Sequence, residues 1–135
     1  MGANITGIGF NPNNNKNLFY QLKLDRKIDL KIVDVRNFKK LNNIVVKHKP
    51  QIIFHLAAQP LIYESYKNPL STFDINFRGS LNVAEVSRIN KFVKSVIIVT
   101  SDKCYESNNS TKGFKETDLL GGVDPYSASK SSTEL

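Results

Sequence analysis

The chain has 135 residues, 40% hydrophobic and 23% charged, a balance that fits one globular domain and excludes a disordered or fibrous chain. No apolar run nears the roughly 18 residues that a membrane helix needs, residues 1–10 lack the basic region and apolar core of a signal peptide, and a lone cysteine, Cys104, excludes an intrachain disulfide. The net charge of +7 comes from scattered lysines without interleaved aromatics, which reads as a solvated surface and argues against a nucleic-acid or membrane partner. Together these features imply a cytoplasmic protein.

In chain order, the first apolar run, residues 4–10, reads as a strand, and Asn11-Pro12-Asn13-Asn14-Asn15 as a loop. A second strand is expected at 30–33. Phe38, Leu41, Ile44 and Val45 recur at helical spacing before His48 and Pro50, and His48 is expected to help end that helix. A third strand is expected at 51–56. Leu70, Phe73, Phe77, Leu81 and Ala84 then form one apolar stripe of a long helix that opens near Pro69. The fourth strand is expected at 96–100, and a last helix near Tyr126. Ile52-Ile53-Phe54 and Val96-Ile97-Ile98-Val99 are continuous rather than alternating, which predicts strands buried on both faces of a parallel sheet. The alternation of strands and helices predicts an α/β fold, a doubly wound parallel sheet in one domain over 1–135.

Ligands of such folds bind beyond the carboxyl ends of the strands. That rule selects Asp34-Val35-Arg36, His55-Leu56-Ala57-Ala58-Gln59-Pro60 and Thr100-Ser101-Asp102-Lys103. Tyr126-Ser127-Ala128-Ser129-Lys130 follows. At helical spacing Tyr126 and Lys130 share a face, and an ammonium beside a phenol favours the phenolate, a base for a sugar hydroxyl. Cys104 reads as a small buried hydrophobe and His55 as a space-filler at a strand end. No His, Cys or Asp cluster has metal-ligand spacing, so no metal is expected.

Ser101 just past a strand, with Tyr126-x-x-x-Lys130 about 25 residues on, resembles the extended branch of the short-chain dehydrogenase/reductase superfamily. The string His55-Leu56-Ala57-Ala58, and Asn76 in Asp74-Ile75-Asn76-Phe77-Arg78-Gly79, strengthen the likeness. The string Thr100-Ser101-Asp102-Lys103-Cys104-Tyr105-Glu106 is similar to the CDP-glucose 4,6-dehydratases, as are Gln59-Pro60-Leu61, Glu64-Ser65-Tyr66 and Leu120-Gly121-Gly122-Val123-Asp124-Pro125-Tyr126. The resemblance implies an NAD-dependent lyase of a homo-oligomeric enzyme that turns CDP-glucose into a 4-keto-6-deoxy sugar for deoxysugar and O-antigen biosynthesis. It implies a catalytic set of Ser101, Asp102, Lys103, Tyr126 and Lys130. It also implies a cofactor set of Asp34, Val35, Leu56, Ala57, Ala58, Asn76, Thr100, Tyr126 and Lys130. Lys103 stands where related dehydratases carry the base for C5. It acts either as that base or as a cation that holds an anionic oxygen. Asn11 falls near the place where NAD enzymes often carry a ribose-binding acid, which leaves NADP open beside NAD.

The glycine-rich phosphate turn of the family is not found. Gly2 and Gly7-Ile8-Gly9 are the only candidates, and they fall on an expected strand with no third glycine at the required spacing. The chain therefore reads as a partial Rossmann-like domain without its first strand and C-terminal part, expected to be inactive and aggregated or molten by itself. Two alternatives stand beside this reading. One is another extended short-chain enzyme (a GDP-mannose or dTDP-glucose dehydratase, or an epimerase). The other is a non-catalytic truncated remnant. Asp102-Lys103 separates dehydratase from epimerase, because an epimerase eliminates no water.

Overall fold

The structure, a computed structural model, describes residues 2–10, 17–106 and 113–135. The asparagine-rich loop expected at 11–15, and Asn11 with it, lie outside the described residues. Four short strands form, β1 (Thr6–Gly9), β2 (Asp29–Ile32), β3 (Ile52–His55) and β4 (Ser95–Ile98), each within or beside its expected run. They pair in parallel as β1 with β2 and β3 with β4, in register Thr6↔Asp29 to Gly9↔Ile32 and Ile52↔Ser95 to His55↔Ile98. Among the described residues the strands form two separate two-stranded sheets.

Two short helical pieces, α1 (Leu18–Gln21) and a 3₁₀ turn at Leu24–Arg26, lead into β2. Helix α2 (Phe38–His48) starts at Asn37, whose side chain accepts a bond from the Lys40 N–H at 3.0 Å. It ends where Lys49 turns left-handed at φ 47°, one residue before Pro50. His48 is thus the last helical residue, but its ring has another task. Nδ1 meets Thr6 Oγ1 at 3.1 Å and ties the helix end to β1.

After β3 come α3 (Ile62–Lys67) and α4 (Pro69–Phe73), which opens on Pro69 as expected. One π-helical turn, Asp74–Arg78, joins α4 to α5 (Gly79–Ile89) in a continuous helical run. The extra residue in that turn shifts the helical register. The buried face is Thr72, Asn76, Gly79, Ser80, Val83 and Val86, not the predicted stripe, and it differs from that stripe already ahead of the turn. Leu70 is 86% exposed. Phe77, Leu81 and Ala84 line an open cleft of about 360 Å³ with Ile98 and Leu135.

The core consists of Leu41 and Val45 from α2 and Val83 and Val86 from α5, with Ile8, Val35, Ile53 and Val96 packed on them. Both half-sheets thus rest on the same helix pair. The expectation that β3 and β4 are buried on both faces fails. Ile53 and His55 face the helices, whereas Phe54 is 65% exposed and Ile52 and Val99 are also uncovered. Among the described residues, helices cover one face of the strands only, and a strand sandwiched on both sides needs two such layers. No described helix is long and apolar enough to cross a membrane.

The last helix, α6 (Pro125–Glu134), has almost no apolar residue and is built from serines and threonines. Asp124 caps it, accepting from the Ser127 N–H at 2.9 Å and the Ser127 hydroxyl at 2.7 Å, and Pro125 fills the first helical position. Ser129, Ser132 and Thr133 donate back to carbonyls three or four residues earlier, on Tyr126, Ala128 and Ser129.

Candidate active site

The residues singled out by sequence gather at the carboxyl ends of β2, β3 and β4 and along α6. Beyond β4, Ser101 is extended at φ −166° and caps a 3₁₀ turn, Asp102–Cys104. Its hydroxyl oxygen accepts the Lys103 N–H at 3.2 Å and its proton goes to Asp102 Oδ1 at 3.2 Å. Asp102 and Lys103 are exposed on this turn, while Cys104 is wholly buried, as expected. Burial and the nearby Glu134 carboxylate push the Cys104 thiol above its usual range, so it stays an unreactive thiol.

The chain then returns. Glu106 N–H bonds the Leu119 carbonyl at 2.8 Å and Gly121 N–H bonds the Cys104 carbonyl at 2.9 Å. Two glycines make this return possible. A Cβ on Gly122 would stand 2.5 Å from the Ala128 nitrogen, and one on Gly121 would stand 3.0 Å from Glu106 Cα. The loop therefore lies against the first turn of α6, the turn that carries Tyr126. Ser131 donates to the Cys104 carbonyl at 2.7 Å and also contacts the Gly121 carbonyl, and Thr100 pairs with Glu134. Helix α6 is thus fastened to the β4 turn from both sides.

Tyr126 is half-buried, and Lys130, one turn later, is 5% exposed. The Lys130 ammonium donates to the Val99 carbonyl at 3.0 Å, at the end of β4. Burial draws its pKa below the usual lysine value. An ammonium has three N–H donors and one recorded protein acceptor here. The remaining donors suit a pair of ribose hydroxyls.

Beyond β3, Leu56 and Ala57 are exposed and Ala58 is half-buried, so this backbone is open to a ligand. His55 is buried beneath them, as expected of a space-filler, but it is also hydrogen-bonded. Ser80 gives its proton to the Asn76 carbonyl at 2.5 Å, so His55 Nε2–H must be the donor in its 3.0 Å bond to Ser80 Oγ. Burial, then the Lys130 charge, holds this imidazole below the ordinary histidine pKa, which keeps it neutral.

Asn76 sits in the π turn and is 0% exposed. Its Oδ1 accepts the Gln59 N–H at 2.7 Å, and its Nδ2 donates to the Gln59 carbonyl at 3.1 Å and to Ser129 Oγ at 2.9 Å. One amide thus locks the loop after β3 to α6. Gln59 completes the lock through bonds to Thr72 and Leu61. Beyond β2, Asp34 is part-buried and pairs with Arg36 at 2.6 Å, while Val35 packs against Gly79. The sequence placed Gln59 within a selected strand-end segment without a role of its own, and Ser129, Glu134 and Asn82 were passed over as site residues.

The sequence model of a family described as GDP-mannose 4,6 dehydratase matches residues 7–135. The chain is 38% identical over 135 residues to CDP-glucose 4,6-dehydratase of Salmonella typhimurium, covering 100% of this chain and 38% of that protein. Its fold superposes on the UDP-Glc/GlcNAc 4-epimerase of Campylobacter jejuni with a TM-score of 0.85 at 22% identity, over 99% of this chain and 40% of that one. It also superposes on UDP-glucose 4-epimerase of Bifidobacterium longum, solved in complex with NAD+ and UDP, with a TM-score of 0.82 at 20% identity, over 98% and 40%. The chain therefore belongs to the GDP-mannose 4,6-dehydratase family, with the Rossmann-like fold of nucleotide-sugar epimerases and dehydratases. It spans about two fifths of the length of these relatives.

Proposed function

We propose that this chain carries the catalytic segment of an NAD-dependent nucleotide-sugar 4,6-dehydratase that converts CDP-glucose to CDP-4-keto-6-deoxyglucose. The 38% identity to the Salmonella enzyme supports the substrate. The observation that carries the reading is the bond from the buried Lys130 ammonium to the Val99 carbonyl. It joins the Tyr126–Lys130 helix to the strand end that bears Thr100, Ser101, Asp102 and Lys103.

The donor set fits two parts of the cofactor. Lys130, Tyr126 and Thr100 suit the nicotinamide ribose, and Asp34 and Val35 suit the adenine, with the backbone of Leu56, Ala57 and Ala58 between them. The pyrophosphate is a different matter. Gly7 and Gly9 are residues of β1, and among the described residues no glycine turn opens a helix behind a strand. When bound, NAD supplies a reversible acceptor for the hydride of the sugar. Tyr126 takes the proton of the C4 hydroxyl, and Ser101 hydrogen-bonds the same oxygen. A ketone at C4 then acidifies the C5 proton, a base removes it as Asp102 protonates the departing C6 hydroxyl, and return of the hydride to C6 with a proton to C5 completes the 4-keto-6-deoxy product. The exposed position of Lys103 supports the role of a cation that holds an anionic oxygen. Asn76 acts at one remove, by positioning Gln59 and Ser129. A cytoplasmic location, a homo-oligomeric whole enzyme and a place in deoxysugar and O-antigen biosynthesis accompany this reading.

The epimerase folds at TM-scores above 0.8 support a second reading as a 4-epimerase. The test is the longest polypeptide that the reading frame encodes, supplied with NAD and, separately, CDP-glucose, GDP-mannose, dTDP-glucose and UDP-glucose. A 4-keto-6-deoxy product from CDP-glucose is expected. Inversion of UDP-glucose at C4 with no keto sugar from any substrate would overturn the dehydratase reading.

A further inference from the structure

The helical run from Pro69 to Ile89 reaches two strand ends. Beyond β2, Asn82 Nδ2 donates to the carbonyls of Val35 and Arg36 at 3.0 and 3.1 Å, and Arg36 Nη1 meets Asp74 Oδ2 at 3.5 Å. Beyond β3 the tie is Asn76, and this tie continues into the helix that carries Tyr126. The Gln59 N–H goes to Asn76 Oδ1, which decides how the amide sits. Nδ2 then has two protons, and they go to the Gln59 carbonyl and to Ser129 Oγ. Ser129 is 0% exposed. Its single proton goes to the Tyr126 carbonyl at 2.7 Å, so its lone pairs face Asn76. The chain of bonds therefore has one direction. It runs from the loop after β3, through Asn76 and Ser129, to the backbone of Tyr126.

A serine that bonds back to its own helix is ordinary, and Ser132 does so at 2.9 Å to the Ala128 carbonyl. Ser129 differs in its second bond, from Asn76, 53 residues away along the chain. The place of that bond on α6 matters. Ser129 and Ser131 stand about 200° apart around the helix axis, on opposite sides. Ser131 ties its side to the Cys104 carbonyl at 2.7 Å, and Ser129 ties the other side to Asn76 at 2.9 Å. Two such ties hold α6 against turning about its axis. Tyr126 carries its hydroxyl at the end of a long side chain, where any turn of the helix is amplified. A misplacement of about 1 Å can cost about 100-fold in rate. We propose that Ser129 is a positioning residue, which fixes the rotation of α6 relative to the loop after β3 and so aims the Tyr126 hydroxyl at the sugar. The inference rests on the catalytic reading above.

The test uses the longest polypeptide that the reading frame encodes, with NAD and CDP-glucose, and follows reduced cofactor through a single turnover. Ser129→Ala should slow the oxidation about tenfold, while the dissociation constant for NAD stays within about twofold of the unaltered value. Ser132→Ala, the same truncation on the same helix, should keep the unaltered rate. Ser129→Cys, similar in size with a weak donor and acceptor, should fall between. The sharpest measurement is made in a Tyr126→Phe background. There Ser129→Ala should lower the melting temperature as it does in the unaltered protein, yet slow the residual oxidation no further, because the group it aims is gone. Equal rates for Ser129→Ala and Ser132→Ala overturn the proposal. So does a further slowing in the Tyr126→Phe background, which marks a general disturbance of the helix, and so does lost NAD affinity at an unchanged rate. Should Ser129→Ala fail to fold, Ser129→Cys takes its place in each comparison, and an unaltered rate there overturns the proposal. An unaltered protein that forms neither reduced cofactor nor keto sugar from CDP-glucose overturns the catalytic reading itself, and the proposal with it.

Discussion

The turns beyond β2 and β4 end two different half-sheets and are built by opposite means. Residues 34–36 are clamped by side chains of the neighbouring helical run, and their own charged groups face each other. Residues 101–104 expose Asp102 and Lys103 and are held mainly through backbone carbonyls, by Ser131 on Cys104 and by Lys130 on Val99. A recognition turn gains from a carboxylate that cannot move, whereas an acid that must reach a departing hydroxyl gains from freedom at its tip. Under the proposed function, the contrast separates residues that would shape binding from residues that would do chemistry.

The two turns can serve one ligand only if the half-sheets that carry them hold together. Among the described residues the half-sheets share helices but no strand, and each leaves an unpaired backbone edge beside apolar residues such as Phe54. Each such side chain forgoes about 1.5–3 kcal/mol of burial, against a total stability of about 5–15 kcal/mol. The isolated 135-residue chain is expected to be aggregated or molten and to leave CDP-glucose unchanged with NAD. Sharp cooperative melting of a monomer would refute this.

The next effects fall on rate. In the longest polypeptide encoded, Tyr126→Phe should slow the first oxidation about 100- to 10,000-fold, since the proton acceptor is lost and the ring kept. Asp102→Asn should instead allow oxidation and stall before water leaves. Single-turnover absorbance of reduced cofactor distinguishes the two, and equal accumulation in both would contradict the assigned roles. Because Asp102 is exposed, its replacement should shift stability by less than about 0.5 kcal/mol. Should Asp102→Asn melt below Arg36→Met, the contrast between the turns is wrong.

Stability effects are smaller. Gly122→Ala places a methyl group 2.5 Å from backbone that cannot yield cheaply, and about 1–3 kcal/mol of destabilisation is expected from thermal melts. The smallest effect is a pH dependence. Asp34 has a depressed folded pKa, so its pairing stabilises above the unfolded carboxyl value and that contribution is lost as pH falls through the folded value. Melting curves of the unaltered protein and Arg36→Met should differ above about pH 4 and converge below it. Parallel curves across that range would show that the pair contributes nothing.

All four strands, α2, the start of the long helix at Pro69 and the catalytic-type helix were legible, because local periodicity and caps decide them. Helix α3 was missed, since Ile62, Tyr63 and Tyr66 carry no helical stripe beside Pro60. The π turn was invisible because nothing in Asp74–Arg78 departs from ordinary helical composition, and the buried face was misassigned because the run buries the small and polar Thr72, Asn76, Gly79 and Ser80 in place of the apolar Leu70 and Leu81. The strand-end turns and the Tyr126–Lys130 pair could be read from spacing. The clamp on Asp34 and the lock around Asn76 could not, because the partners that complete them lie 17 to 53 residues away along the chain.

The serine and threonine content of α6 bears on the order in which the molecule assembles. Hydroxyls that bond back to carbonyls three or four residues earlier weaken a helix in isolation, and a ten-residue segment without an apolar stripe has little helical tendency of its own. Its helicity must come from docking onto the 104–106 segment, the π turn and the glycine loop. Tyr126 and Lys130 are therefore brought into line only after those segments have consolidated, and amide exchange along α6 should be among the first lost when any of them loosens. Alignment of Tyr126 with Lys130 thus becomes a reporter of completed folding.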